Sequence, residues 1–288
     1  MNNSTVQKNS LEKILKGLNF QNQAKFIKAV TIIREEHNIP ETVASDSTIL
    51  RFFLSVQGNV DETIAGVRKN AEWQKTYPFD KVLSLDLKKF DLFNQCIKMG
   101  FYGTDQKGRP IRIIYISNFE PDLLIDNYSE EELTHFFVQY LERIINIIFP
   151  VASDRCNSHV SNILSIIDIK DLNVSKILFN KRLIDLFQNM SKAFQDNYPE
   201  MTYRAVIVNA NVLFLGLWKI LSVFVKQKTV DRICIVGEDY LPELTKYTTV
   251  DQLPTCLGGT CPHEVDKYPN FWDAELERSI QEKRFKLA

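Results

Sequence analysis

The sequence predicts an α/β fold: a mainly parallel, mixed sheet covered by helices, with a small all-helical unit ahead of it. Three observations carry that prediction. Residues 11–90 place their apolar side chains at helical spacing and contain no β-rich run. After residue 95, short β-branched runs alternate with long amphipathic stretches. Strands separated by helices must pair in parallel, because the chain needs a crossover to return to the same sheet edge.

Taken in order, residues 1–10 are rich in Asn, Ser and Gln and read as a disordered tail. Phe26, Ile27, Val30 and Ile33 share one helix face, and Pro40 ends that stretch. Ser45-Asp46-Ser47-Thr48 is a cluster of N-cap residues before Ile49, Leu50, Phe53 and Leu54, and Gly58-Asn59 breaks that helix. A third helix opens near Asp61 with Ile64, Val67, Ala71 and Trp73, and Pro78 closes it. Gly108-Arg109-Pro110 introduces a strand over 111–116. Ser129 and Glu132 form a capping box for a long helix carrying Leu133, Phe136, Tyr140, Ile144 and Ile148, with Pro150 just past its end. Strands follow at 163–169, 204–210 and 232–236, separated by helices over 174–197 and 211–227. The expected divisions are a tail over 1–10, a helical domain over 11–90, an α/β domain over 91–263 and a C-terminal extension over 264–288.

The composition excludes several function classes. Lys and Arg number 35 against 36 Asp and Glu, so no global basic field favours nucleic acid. The 5 cysteines are odd in number and scattered, which argues against a disulfide framework and for a reducing compartment. The first thirty residues hold no signal-peptide core, and no uninterrupted apolar run reaches the ~20 residues that span a bilayer. A cytoplasmic location is expected.

Enzyme motifs fail one after another. Gly103 to Gly108 has phosphate-loop spacing, but Arg109-Pro110 stands where Lys and Ser or Thr must hold phosphate and magnesium, so a β-turn is expected there. No G-x-G-x-x-G follows a strand and no G-x-S-x-G elbow occurs. Cys256, Cys261 and His263 lack the paired spacing of a metal site, and no metal is expected. Asp168, ending a buried strand, is read as a turn carboxylate rather than a base.

The unusual segment is Val212 to Val225, apolar but for a narrow stripe of Gly216, Lys219 and Ser222. A helix that is apolar nearly all round is either fully buried or a lid over an apolar cavity that also meets a bilayer. In the second case Phe214, Leu217, Trp218 and Leu221 contact lipid.

Together these residues resemble the CRAL-TRIO lipid-binding family over about residues 40–262. The resemblance rests on Asp46 to Phe53, Asn59-Val60-Asp61, Glu72-Trp73, Gly103 to Pro110, Ile163 to Asp168, Tyr198-Pro199-Glu200, Val208-Asn209-Ala210, Lys228-Thr229-Val230, and Leu253-Pro254 with Gly258-Gly259. It implies a deep pocket for one lipid, gated by the helix at about 211–227, with no covalent chemistry and no cofactor other than the bound lipid. By that resemblance Glu200, Thr229 and Arg232, with Lys228, hold a phosphatidylinositol headgroup. Arg232 replaces the family's usual Lys, and Val56 and Gln57 occupy the positions of its basic pair. Phe101, Arg112, Ser165 and Phe194 fall in the alternative headgroup pocket, where Arg112 repels a choline cation. The implied partners are phospholipid, a transient membrane surface and a lipid kinase, with no nucleic acid and a monomeric chain. A sterol, squalene, tocopherol or retinoid is the alternative ligand.

Overall fold

The computed structural model describes residues 11–36, 38–76, 97–116 and 119–261. The tail over 1–10, the closing Pro78, His263 and the extension over 264–288 lie outside the described residues.

After a helical turn over residues 11–16 come α1 (Phe20–Glu35), α2 (Asp46–Ser55) and α3 (Val60–Gln74). Asn19, Ser45 and Asn59 cap them, each side chain accepting a hydrogen bond from a backbone N–H in the first turn. Phe26, Ile33, Ile49, Phe53 and Val67 bury themselves between the three helices. Phe26 meets Phe53 edge to face, 5.5 Å between centroids.

The sheet has five strands in the order β1-β2-β3-β4-β5: β1 (Lys98–Thr104), β2 (Pro110–Tyr115), β3 (Ile163–Asp168), β4 (Thr202–Val208) and β5 (Ile233–Ile235). β1 runs antiparallel to β2, and the remaining pairs are parallel. The edge strand β1 is an addition to the sequence prediction. Gly100 and Gly103 dilute its apolar pattern, and its ladder is irregular between Phe101 and Thr104. The β1–β2 connection is the expected turn. Asp105 Oδ1 accepts from the Lys107 and Arg109 backbones, and Asp105 Oδ2 takes Arg109 Nε at 2.6 Å. Gly108 has φ 77°, and a Cβ there would come within 2.5 Å of Cys156 Cβ, so only glycine fits.

Between the strands lie α4 (Pro121–Asn127), α5 (Glu130–Arg143), α6 (Phe149–Arg155), α7 (Val174–Leu178), α8 (Lys181–Asn197), α9 (Val212–Leu221) and α10 (Gln227–Val230), and α11 (Leu241–Leu244) follows β5. The Ser129/Glu132 capping box is present. The helix does not stop before Pro150. A π-turn over Ile144–Ile148 joins α5 to α6, with the Phe149 N–H bonded to the Ile144 carbonyl. Pro150 then sits in a first turn, where its missing N–H costs no bond. The joined helix Glu130–Arg155 is long and apolar enough by composition to cross a bilayer, and more than half of that stretch is packed inside the protein. The predicted helix over 174–197 is two helices, because Asn180 turns the chain and caps α8.

Alternation along the strands divides the core. Ile111, Ile113, Leu164, Ile166, Val206 and Val208 point to one face, closed by Leu244, Leu253 and Leu257. Gly259 permits that closure, since a Cβ there would lie 2.0 Å from the Leu253 carbonyl oxygen. Asp168 is the expected turn carboxylate, accepting from the Lys170 N–H and Asn209 Nδ2. The opposite face is not filled.

Candidate ligand cavity

That second face floors a cavity of about 820 Å³. Arg112 and Ile114 of β2, Ile116 just after it and Ile163 of β3 form the floor, and Leu133, Phe137, Tyr140 and Leu141 of α5 one wall. Ile184, Phe187, Met190 and Phe194 of α8 form the other wall. A void of this size between a sheet and its helices leaves its lining without dispersion partners, which is unfavourable unless something fills it.

α9 covers it. Asn211 caps this helix by accepting from the Phe214 N–H at 3.0 Å. Phe214, Leu217 and Leu221 face the cavity, and Trp218 packs in the same apolar cluster beside them. The opposite side of the segment presents apolar groups to solvent: Val212 is 82%, Leu213 66% and Val223 73% exposed. Phe179, just after the α7 helix that packs on α9, is 83% exposed. The segment is therefore neither a fully buried core helix nor an ordinary amphipathic one. The predicted continuous helix over 211–227 instead ends at Leu221, tightens into a 3₁₀ turn over Ser222–Phe224, and restarts as α10.

The mouth is polar. Glu200 Oε1 pairs with Lys228 Nζ at 2.6 Å and Glu200 Oε2 with Arg232 Nη2 at 2.5 Å. Arg232 also donates to the Thr202 carbonyl at 2.8 Å, and Lys228 to the Leu54 carbonyl at the end of α2 at 3.0 Å. Thr229 lines the cavity between them. Glu200 holds a left-handed backbone, φ 61°, a conformation costly for a residue with a Cβ and typical of positions under functional constraint. All four predicted headgroup residues therefore meet at one rim, with the carboxylate of Glu200 already shared by two cations. Val56 lines the cavity nearby, and Gln57 is exposed.

A second rim cluster was not anticipated from the sequence. Asp196 pairs with Lys226 at 3.0 Å and Lys69 at 3.6 Å. Burial raises the Asp196 pKa, but the bonds and charges of those two lysines outweigh it and hold the carboxyl below its ordinary value. Gln195 accepts from the Lys226 N–H and donates to the Phe224 carbonyl at 3.0 Å, tying the end of the α9 segment to α8. The available sequence clue was symmetry: carboxylates on both sides of Tyr198-Pro199, and lysines at 226 and 228 after the apolar segment.

The alternative pocket residues separate. Arg112 and Phe194 line the cavity. Ser165 lies beneath Arg112, wholly buried, and accepts from Arg112 Nη2 at 2.9 Å. Phe101 is buried behind the lining, stacked on Tyr140 at 6.3 Å. Among the described residues, no group of three or more His, Cys, Asp or Glu side chains converges as metal ligands do.

Comparison with known proteins agrees with this architecture. Residues 94–259 match the CRAL/TRIO domain. The phosphatidylinositol/phosphatidylcholine transfer protein SFH12 of Arabidopsis thaliana is 28% identical over 243 residues, 83% of this chain and 44% of that protein. The Sec14 cytosolic factor of Schizosaccharomyces pombe is 24% identical over 217 residues, 75% of each chain. The chain thus spans less than half the length of the plant relative. The name of the plant relative describes transfer rather than catalysis. The crystal structure of Sfh5 shares the fold, with a TM-score of 0.61 at 12% identity over 99% of both chains. A mixed sheet, an apolar cavity under a helical cover, and a family match spanning more than half of the chain lead to one conclusion: this protein belongs to the CRAL/TRIO domain family.

Proposed function

We propose that this protein carries a single phospholipid, phosphatidylinositol, between membranes in the cavity under α9. The observation that carries this reading is the cavity itself: about 820 Å³, apolar at depth and charged at the rim, under a helix with apolar side chains on both faces. Each buried methylene contributes about 0.8 kcal/mol, so a diacyl lipid does not cross water unaided at a useful rate. A matching cavity lowers that barrier. At a membrane, Val212, Leu213, Val223 and Phe179 enter the lipid phase, α9 swings away, and the bound lipid exchanges. In water the apolar lining drives closure. No bond is made or broken.

In this reading Lys228 and Arg232 take the headgroup phosphate from Glu200, Glu200 turns to the inositol hydroxyls, and Thr229 completes the contact. The protein acts as a cytoplasmic monomer that visits membranes, and a lipid kinase is its expected partner. Arg112 disfavours a choline headgroup at the cavity floor.

Lipid extraction and mass spectrometry of gently purified protein test the ligand. One equivalent of phosphatidylinositol supports the reading, and a sterol or isoprenoid in its place overturns the headgroup assignment. Arg232→Ala is expected to lower phosphatidylinositol transfer at least about tenfold, since charge-assisted hydrogen bonds are worth about 1.5–3 kcal/mol. Unchanged transfer by folded variant removes Arg232 from the site.

A further inference from the structure

The helical unit turns an apolar stripe to solvent. α1 buries Phe26, Ala29 and Ile33 against its neighbours. On the far side of the same helix, Phe20, Ala24 and Ile27 follow one another at i, i+4 and i+7, and all three are exposed. Phe20 is 87% exposed, more than any other large apolar side chain described, and Ile27 is 46% exposed. Asn19 caps the helix, so Phe20 is not needed to start it. One apolar face suffices to pack α1 on its unit, and a second face opposite it gains nothing from the fold.

Charge and position show what this face meets. Over residues 11–31 four lysines stand against one carboxylate, Glu12, in a chain whose net charge is -1. Lys13 pairs with Asp154. Lys16, Lys25 and Lys28 are exposed and hold no ion pair among the described residues, whereas Lys69, Lys226 and Lys228 are held by Asp196 and Glu200. An apolar stripe edged by free lysines suits the interface of an anionic bilayer, where rings and aliphatic groups enter the acyl boundary and ammonium groups stay among the phosphates. The start of α1 also lies next to the cavity mouth. A Cβ on Gly58 would stand 3.2 Å from Asn22 Oδ1, so the first turn of α1 abuts the turn after α2. The Leu54 carbonyl, at the end of α2, takes the rim lysine Lys228 at 3.0 Å. Exposed Val223 precedes Lys228 by five residues, so the apolar surface of the α9 segment and that of α1 approach the mouth from two units of the fold.

We infer that the exposed face of α1, with Phe20 and Ile27 as apolar anchors and Lys16, Lys25 and Lys28 as its charges, is a second membrane-docking surface that takes an anionic bilayer. This rests on the reading that the protein visits membranes, and it assigns that visit a lipid charge and a point of attachment outside α9. Two points of attachment fix how the mouth sits on the bilayer, whereas α9 alone leaves the protein free to pivot.

The test is flotation of the full chain with phosphatidylcholine vesicles, with and without phosphatidylserine. The wild type should bind the phosphatidylserine vesicles more tightly, and added salt should remove that advantage. Phe20→Ser combined with Ile27→Ser should lower affinity for those vesicles at least about tenfold, the loss expected when large apolar side chains no longer enter the bilayer. Lys25→Gln combined with Lys28→Gln should lower it about tenfold on phosphatidylserine vesicles and leave binding to phosphatidylcholine alone unaltered. These four side chains face solvent, so thermal unfolding should not move. Leu213→Ser combined with Val223→Ser reports on the α9 segment separately and should weaken binding to both kinds of vesicle. Variants of α1 that bind like the wild type, while the α9 variant does not, overturn the inference and leave the transfer reading standing. A wild-type dimer in light scattering that the Phe20 and Ile27 changes dissolve also overturns it, because the stripe is then an interface between copies. Failure of the wild type to bind either kind of vesicle overturns membrane docking by α1 and α9 alike.

Discussion

His159 lies partly buried near two cations. Burial first, and then the charges of Arg51 and Lys13, lower its pKa from 6.5 to about 4. The folded protein therefore keeps it neutral over a range in which the unfolded chain binds a proton. Its contribution to stability is complete above pH 6.5 and is lost as pH falls from 6.5 towards 4, an effect on the order of 2–3 kcal/mol. Glu142 acts in the opposite sense. Burial holds its pKa above 4.5 against the bonds and charges of Tyr198, Arg51 and Asn146, so its contribution falls as pH rises from 4.5. Comparing wild type with His159→Asn isolates the histidine. In urea titrations the variant should gain about 2–3 kcal/mol relative to wild type between pH 7 and pH 4. A gap that stays constant across that range removes His159 as the cause.

Among the elements, α9 combines exposure, apolarity and a weak point. Gly216 lies mid-helix, and a Cβ built there meets nothing within 4 Å. Glycine at an exposed helix interior costs about 0.5–1 kcal/mol relative to alanine. Nothing in its packing demands a glycine there, so its consequence is a helix that unfolds or shifts more readily. Gly216→Ala is expected to slow amide exchange across α9 and, if opening involves unwinding of this helix, to slow lipid transfer up to about fivefold, the factor that 1 kcal/mol represents. Slower exchange with unaltered transfer would show that α9 moves as a rigid unit. The same element explains why the lid reading and the core-helix reading were inseparable in sequence: both need an all-round apolar helix, and only the cavity beneath and the solvent above tell them apart.

At the scale of the whole molecule, a buried polar network joins the helical unit to the sheet unit. Arg51 is fully enclosed, and burial lowers its pKa to about 10 against the favourable charge of Glu142. Arg51 Nη2 donates to Thr48 at 3.0 Å. Glu142 on α5 accepts from Tyr198 at 2.8 Å, Asn146 at 3.0 Å and Gln74 at 3.4 Å. Asn70 on α3 donates to the Asn197 carbonyl at 3.1 Å, one residue before Tyr198 and three before Glu200. Docking of the two units and placement of the cavity rim are thus carried by the same short segment. Glu142→Leu removes the acceptor of Tyr198 and Asn146 and the negative charge that favours the enclosed Arg51, and is expected to cost about 1–3 kcal/mol. Arg51→Met combined with Glu142→Leu should be less destabilised than Glu142→Leu alone, because the uncompensated charge is gone. Equal losses in thermal or urea unfolding would show that the two side chains do not interact.

Much of this was legible from local pattern. Caps at Ser45 and Ser129, the helical spacing of residues 11–76 and the β-branched runs of β2 to β4 are short-range properties, so composition and periodicity determined the α/β class and the mainly parallel sheet. The apolar segment at 212–225 marked itself in the same way. Tertiary structure decided the rest, because it depends on which side of an element faces what. A sequence does not show that Phe214 and Leu217 turn inward while Leu213 turns out, or that Pro150 is absorbed by a π-turn. Nor does it show that Glu200 is held by Lys228 and Arg232 while Arg112, in the cavity lining, has no carboxylate partner among the described residues. Charge pairing joins residues far apart in the chain, and the cost of an unpaired charge is set by a burial that exists only once the sheet, its helices and the cavity between them have formed.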